Sequence, residues 1–300
     1  MPKAKANNIE LEYETYGDPS GKPLLLVMGL GAQMIRWDVD LIEKMVESGF
    51  YVIIFDNRDV GLSTKFEDAG IPDLTKAIGA AMKREKIEAP YLLKDMADDA
   101  IGLLDFLGIE KAHICGASMG GMIVQEIAIN HPSRVLSLTS IMSTTGDPNL
   151  PQPSPKALKI LMAPAPEGRE ASIEYGVETG RFLYGSGFPF DEEKARVEAA
   201  KAYDRSFYPQ GMARQLIAIL ASGDRTERLS SVQVPTLVIH GKDDPLVPHE
   251  AGIATANSIP EAELILIDGM GHSSPPETWP QTVDAIVANT EKAEQLEIQI

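Results

Sequence analysis

Residues 114–121, Ile-Cys-Gly-Ala-Ser-Met-Gly-Gly, set a serine between two glycines, straight after a strand-like run and straight before a helix-like one. A chain that passes from strand to helix in so few residues must make a strained turn. Gly116 and Gly120, two residues to either side of Ser118, leave room for the backbone to close that tightly. The turn lifts the Ser118 hydroxyl clear of the main chain, which is the geometry of a nucleophile elbow. An isolated Gly-x-Ser-x-Gly also occurs in ordinary loops, so its flanks decide the reading. Ala112 to Cys115 is a short apolar run suited to a buried strand. Met122, Ile123, Gln125, Glu126, Ile127 and Ile129 continue as a helix that stops before Pro132, and Gly121 lets that helix approach the sheet closely.

The rest of the chain repeats this alternation. Residues 9–16 read as a first strand, 23–28 as a fully apolar buried one, 35–48 as a helix, and 51–55 as another buried strand ending at Asp56. A helix over 95–107 precedes the elbow, and a strand over 135–142 follows it. Such alternation implies a parallel sheet covered on both faces. From about Gly146 the pattern changes to a proline-rich stretch and three helix-like segments near 168–184, 191–206 and 210–222. Strands resume at 236–240 and 264–267, and a last helix occupies about 277–290. The expected organisation is therefore an α/β core of residues 1–145 and 232–300 with a helical cap insertion at 146–231.

Composition narrows the function classes. With 44% hydrophobic residues the chain can bury a large interior, yet no run approaches the ~20 apolar residues of a membrane span. A net charge of −17 disfavours nucleic acid and anionic lipid surfaces as partners. No apolar segment follows the first lysines, so no secretory signal is expected and a cytoplasmic location is the default. Cys115, the single cysteine, has no partner for an internal disulfide and suits a reducing compartment.

A serine hydroxyl is a poor nucleophile at neutral pH, so it needs an imidazole to take its proton and a carboxylate to fix that imidazole's tautomer. Of five histidines, His272 stands out in Gly269-Met-Gly-His-Ser-Ser-Pro275, a glycine-flanked loop after the last strand. His113 lies inside the elbow strand, His131 ends a helix, His240 ends a strand and His249 begins a helix, so each reads as structural or surface. For the carboxylate, Asp243 and Asp244 both follow a buried strand. Asp244 is favoured because the residue before Pro245 is held extended, with Asp243 and Asp147 as the other candidates. No His-x-x-x-His or Cys-x-x-Cys spacing exists, so no metal is expected, and a serine mechanism in which water completes the cycle requires no cofactor.

The order Ser118, Asp244, His272 is the one used by the α/β-hydrolase fold. The sequence resembles that superfamily over essentially its whole length. Val27-Met-Gly-Leu-Gly31, Phe55-Asp-Asn-Arg-Asp-Val-Gly-Leu-Ser63, Gly116-Ala-Ser-Met-Gly-Gly121, Gly241-Lys-Asp-Asp-Pro-Leu-Val-Pro248 and Gly271-His272 fall where its motifs fall. It is most similar to aclacinomycin methylesterase-like serine carboxylesterases, through the Met-Gly loop and Asp-Asn-Arg-Asp-Val-Gly-Leu-Ser. The resemblance implies a mostly parallel central sheet of about eight strands flanked by helices, and it supports Asp244, the third residue after the glycine, as the acid.

Two backbone amides are expected to receive a developing oxyanion. Met119 N–H lies at a helix N-terminus beside the serine, where the helix dipole favours negative charge. Leu30 N–H is similar in position to the family's second donor. Met28 departs from the histidine that many relatives carry before this glycine, which leaves the donor intact and the bracing of the loop open. The family also implies that Asp56, Arg58 and Ser63 are scaffold, with Arg58 held by an acidic partner, while Asp98 and Asp99 read as surface charges near a helix start. The resemblance thus implies a serine hydrolase cleaving carboxylic esters, and the apolar cap residues Met162, Phe182, Tyr184, Phe188, Tyr203, Phe207, Tyr208 and Met212, with few basic residues among them, favour small to medium apolar acyl groups. A lactonase or carbon–carbon bond hydrolase on the same triad is the alternative within the class. A slow-turnover ligand-binding receptor of the same fold is the alternative outside it. The partner is a small-molecule ester, and oligomeric state is not legible.

Overall fold

The computed structural model describes residues 2–298. Strands Lys3–Ala6 (β1), Ile9–Tyr16 (β2), Lys22–Val27 (β3), Phe50–Phe55 (β4), Ala112–Ala117 (β5), Val135–Ile141 (β6), Thr236–Gly241 (β7) and Glu263–Ile267 (β8) form one sheet in the order β1-β2-β4-β3-β5-β6-β7-β8. β1 and β2 are antiparallel to their neighbours, and β4-β3-β5-β6-β7-β8 run parallel. Helices are Val39–Glu47 (α1), Leu74–Met82 (α2), Leu93–Phe106 (α3), Met119–Asn130 (α4), Pro155–Met162 (α5), Arg169–Leu183 (α6), Glu192–Arg205 (α7), Pro209–Ser222 (α8), Thr226–Leu229 (α9), Glu250–Ser258 (α10) and Trp279–Ile298 (α11). The chain between β6 and β7 carries α5 to α9 and, among the described residues, no strand.

Alternate residues of each parallel strand enter opposite cores, because successive side chains of a strand point to opposite faces. Leu25, Val27, Ile53, Phe55 and Ile114 pack with Leu93, Met96, Leu103 and Leu104 of α3 and with Met122, Ile123 and Ile127 of α4. Leu24, Leu26, Val52, Ile54 and Cys115 face the other way, onto Leu41, Ile42 and Met45 of α1 and Val283 and Ile286 of α11. Both faces are covered, as continuous apolar strands require.

The structure revises several local expectations. β1 has no signature in the sequence: Lys-Ala-Lys-Ala carries no β-branched or aromatic residue, yet Ala4 and Ala6 are buried against the sheet's α3 side. The helix expected over 35–48 divides into a short 3-10 turn at Met34–Arg36 and α1, which begins where the Asp38 carboxylate accepts the Asp40 N–H. α3 starts two residues early because Asp95 Oδ2 accepts the Leu92 N–H at 2.7 Å. Among the described residues no helix is long and apolar enough to cross a membrane.

The parallel strands all end on one edge. β3 delivers the loop of residues 28–33, β5 delivers Ser118, β7 leads to Asp244 and β8 to His272. In open α/β sheets ligands bind at this carboxyl edge.

Candidate active site

Ser118 has φ 57° and ψ −121°, a backbone setting that a residue with a side chain adopts only under restraint. The restraint is visible. Ser118 N–H donates to the Ile141 carbonyl at 2.9 Å, and the Ser143 hydroxyl donates to the Ser118 carbonyl at 2.8 Å. Gly120 permits the close passage that the turn needs: a Cβ there would lie 2.0 Å from the Val27 carbonyl oxygen. The Ser118 residue itself is half-buried, so its hydroxyl is not sealed in the core.

Three separated stretches meet at this serine. His272 Nε2 lies 2.9 Å from Ser118 Oγ, and His272 Nδ1 lies 2.6 Å from Asp244 Oδ2. Asp244 is buried, and its Oδ1 accepts the N–H groups of Leu246 and Val247, each at 2.8 Å. Burial alone would raise the Asp244 carboxyl, but His272, His240 and the Val247 amide outweigh burial and hold it well below the usual carboxylate range. An ionised carboxylate only accepts, so Nδ1 carries the ring proton and Nε2 is left as acceptor for the Ser118 hydroxyl. Asp243, the neighbouring candidate, points elsewhere and accepts the Ser186 hydroxyl, while Asp147 folds back on the Asn149 N–H.

The loop carrying His272 is held by the segment after α6. Gly271 N–H donates to the Tyr184 carbonyl and Gly187 N–H to the Gly269 carbonyl, both at 3.0 Å. Ser273 Oγ adds a bond to the Tyr184 carbonyl at 2.9 Å. Met119 is the first residue of α4, so its N–H has no carbonyl partner within the helix. Gly29, one residue before Leu30, packs against the serine: a Cβ on it would meet Ser118 Cβ at 3.0 Å.

The scaffold behind this loop is built from buried charge. Arg58 makes a two-point contact with Asp99, Nε to Oδ2 at 2.6 Å and Nη2 to Oδ1 at 2.7 Å, and its guanidinium lies against the adjacent rings of Phe66 and Tyr91. Asp99 is only 1% exposed, which corrects its reading as a surface charge. Asp98 does stay near the surface, 2.7 Å from His131 Nε2. Asp56 accepts the Met34 and Leu62 N–H groups at 2.8 Å each and Arg205 Nη1 at 2.7 Å. Ser63 links the Glu12 N–H to the Asp56 carbonyl.

One contributor, read from sequence only as structural or surface, supports the acid directly, and a second escaped the sequence reading. His240 is fully buried, donates from Nε2 to the Val247 carbonyl at 2.8 Å and approaches Asp244 Oδ2 at 3.4 Å, so it holds the turn that aims the acid. The available signal was its place four residues before Asp244. Gln215, deep in α8, accepts the Gly31 N–H at 2.8 Å and gave no signal at all. In the helical segment between β6 and β7, Met212 reaches Gly31, Tyr208 is engaged by Arg214 and Tyr203 stacks on Phe207 at 4.6 Å. Among the described residues no group of three or more His, Cys, Asp or Glu side chains has the arrangement to hold a metal ion.

Comparisons with known proteins agree with this architecture. The model of the alpha/beta hydrolase fold family matches residues 22–277. Rhodomycin D methylesterase DnrP of Streptomyces peucetius is 31% identical, over 98% of this chain and 99% of its own. The meta-cleavage product hydrolase CumD from Pseudomonas fluorescens IP01 superposes with a TM-score of 0.76 at 21% identity, covering 98% of both chains. A thermophilic esterase from Thermogutta terrifontis gives a TM-score of 0.69 at 25% identity, over 97% of this chain and 98% of its own. With that match across most of its length and the sheet order described above, the chain belongs to the α/β hydrolase fold family.

Proposed function

We propose that the protein is a serine carboxylesterase acting on small to medium apolar acyl esters, with Ser118 as nucleophile, His272 as general base and acid, and Asp244 as the group that orients the imidazole. The observation that carries this reading is the relay from Ser118 Oγ to His272 Nε2 at 2.9 Å and from His272 Nδ1 to Asp244 Oδ2 at 2.6 Å. The name methylesterase, borne by the Streptomyces peucetius relative, supports ester chemistry. Residues 146–231 act as a cap over the carboxyl edge and choose the substrate.

In this mechanism Ser118 Oγ attacks the ester carbonyl carbon while its proton passes to His272 Nε2. The carbonyl oxygen takes the negative charge and is received by the Leu30 and Met119 N–H groups, donors whose individual loss costs on the order of 10² to 10³ in turnover. The tetrahedral adduct collapses as His272 Nε2–H protonates the departing alkoxide. Water then attacks the acyl-enzyme, His272 takes its proton, and Ser118 leaves with that proton restored. Asp244 stays ionised throughout and stabilises the transient imidazolium.

The test is a chain-length series of p-nitrophenyl esters run beside simple lactones, with Ser118→Ala as control. Preference for the esters and near-complete loss in the variant, with the fold retained, are expected. Preference for lactones would reassign the substrate class, wild-type-like turnover by Ser118→Ala would remove the nucleophile, and a burst followed by negligible steady turnover would indicate a receptor.

A further inference from the structure

The loop after β3 makes a tight turn over residues 29–32. Ala32 N–H donates to the Gly29 carbonyl at 3.2 Å, and Gly31 has φ 66° whereas Leu30 before it does not enter positive φ. That combination is a type II turn. A type II turn becomes a type I turn when its central peptide rotates by about half a revolution. The peptide joining Leu30 to Gly31 therefore has two available settings, and something must choose between them.

Gln215 faces that peptide. Its side chain is fully buried; Oε1 accepts the Gly31 N–H at 2.8 Å and Nε2 donates to the Arg58 carbonyl at 2.8 Å. The second bond decides which end of the carboxamide meets the turn. Rotating the peptide would bring the Leu30 carbonyl oxygen onto Gln215 Oε1, two acceptors with no proton between them. On the other side, Asn57 Nδ2 donates to the Met28 carbonyl at 2.9 Å. The peptide units before and after the one carrying the Leu30 N–H are thus both held by buried carboxamides. This supplies bracing to a loop in which Met28 offers no polar side chain of its own.

We propose that Gln215 is a positioning residue for the Leu30 amide, holding its turn in one peptide setting from α8. The proposal rests on the oxyanion role given to Leu30 above. Gln215 touches neither the reacting carbonyl nor the leaving group, so it acts through the direction and rigidity of the Leu30 amide, which matter most when charge develops in the transition state. Its loss therefore lowers kcat and spares KM.

Gln215→Met keeps the length of the side chain and removes both hydrogen bonds. Measured on p-nitrophenyl butyrate and normalised to folded protein by circular dichroism, it is expected to reduce kcat by about 10- to 100-fold, a fraction of the loss of a whole donor. KM stays within about threefold by the same reasoning, and affinity for an alkylboronic acid, whose tetrahedral adduct mimics the oxyanion, falls in step with kcat. Gly31→Ala loosens the same turn from within, because alanine is strained at φ 66° and its Cβ would press on Met212 Cγ at 3.0 Å. It should reproduce the kcat loss, and the double variant should lose little more than the worse single one, since both release one peptide. Folded Gln215→Met with kcat and boronate affinity within threefold of wild type overturns the proposal while leaving Ser118 in place. Should that variant not fold, a folded Gly31→Ala with unchanged kcat overturns it equally. Turnover persisting in Ser118→Ala would instead bring down the reading beneath it.

Discussion

Replacing Asp244 by asparagine tests the proposed relay at its acid, and the structure states which way the new amide must point. Oδ1 receives two backbone N–H groups, from Leu246 and Val247, at 2.8 Å each, while Oδ2 receives the single His272 Nδ1–H at 2.6 Å. His240 approaches Oδ2 at only 3.4 Å and is bonded to the Val247 carbonyl, so it weighs less. The carboxamide oxygen therefore stays with the two amides and the NH2 faces His272. Facing a donor, His272 must accept at Nδ1 and carry its proton on Nε2, where it can no longer take one from Ser118. Turning the amide round would restore the tautomer but set NH2 against two N–H groups, at about 1–3 kcal/mol for each buried donor left unpaired. The competent form is thus disfavoured by about 2–6 kcal/mol, or roughly 30- to 10⁴-fold in population. The expected result for Asp244→Asn is a loss of kcat/KM within that range on a p-nitrophenyl ester at pH 7.5. A nitrogen-detected spectrum should show the His272 proton moved from Nδ1 to Nε2. Asp243→Asn, at an exposed carboxylate that accepts the Ser186 hydroxyl, should stay within about threefold of wild type, as a surface substitution. Asp244→Asn within threefold of wild type would refute the argument, because no tautomer switch is compatible with that rate.

The depressed Asp244 carboxyl also has a stability consequence. A folded-state value below the unfolded one stabilises the protein above the unfolded value of about 3.9 and is lost as pH falls through the folded value. Within that acid window wild type should lose up to about 1.4 kcal/mol per pH unit more than Asp244→Asn, and urea titrations at several pH values read the difference in slope. Asp99→Ala removes the buried carboxylate paired with the Arg58 guanidinium and should cost about 3–5 kcal/mol in denaturant unfolding. Arg196→Ala, which breaks solvent-exposed pairs with Glu174 and Glu192, should leave the unfolding curve close to wild type, and a loss equal to that of Asp99→Ala would contradict the burial argument. Burial pushes the Cys115 thiol up to about 12, so the native protein at pH 8 should not react with a thiol reagent until it unfolds. Rapid labelling without loss of structure would be inconsistent with that burial.

What the sequence disclosed was whatever is encoded locally. The elbow was legible because strand run, glycine spacing and helix run lie within twenty residues, and the strained φ of Ser118 follows from them. The serine and the base could be ranked by their strand ends, whereas Asp244 and Asp243 follow the same strand and were separated only by Pro245 and the family resemblance. β1 was not legible, since two small alanines bury too little surface to leave an alternating signature, and its stability comes from pairing with β2. Asp99 was misread for a different reason: its partner Arg58 lies 41 positions away, and a carboxylate in a helix looks the same whether it faces water or a guanidinium. His240 and Gln215 share that limit. Their contribution is a hydrogen bond to someone else's backbone, and no residue type announces it.

The same long-range bonds redraw the boundary of the helical segment between β6 and β7. By sequence it begins at residue 146 and ends at 231, a unit that looks separable from the sheet. Yet Arg205 at the end of α7 reaches Asp56, and Arg214 of α8 grips Asp59 through Nε and Nη2 at 2.8 Å each, with Tyr91 donating to the same carboxylate at 2.7 Å. Beyond α8, Arg225 is buried against Gln125 of α4 and the Thr144 carbonyl. Separating such pairs leaves charge stranded in the interior, which is far costlier than exposing apolar surface of similar size. Among the described residues α5 shows no such buried charge tie to the sheet, and at its entry Ser154 N–H donates to the Pro245 carbonyl. Physically, then, α7 to α9 belong with the sheet and complete the loop at Leu30. Sequence change that leaves these buried ties intact has its freest ground in α5 and the proline-rich stretch before it.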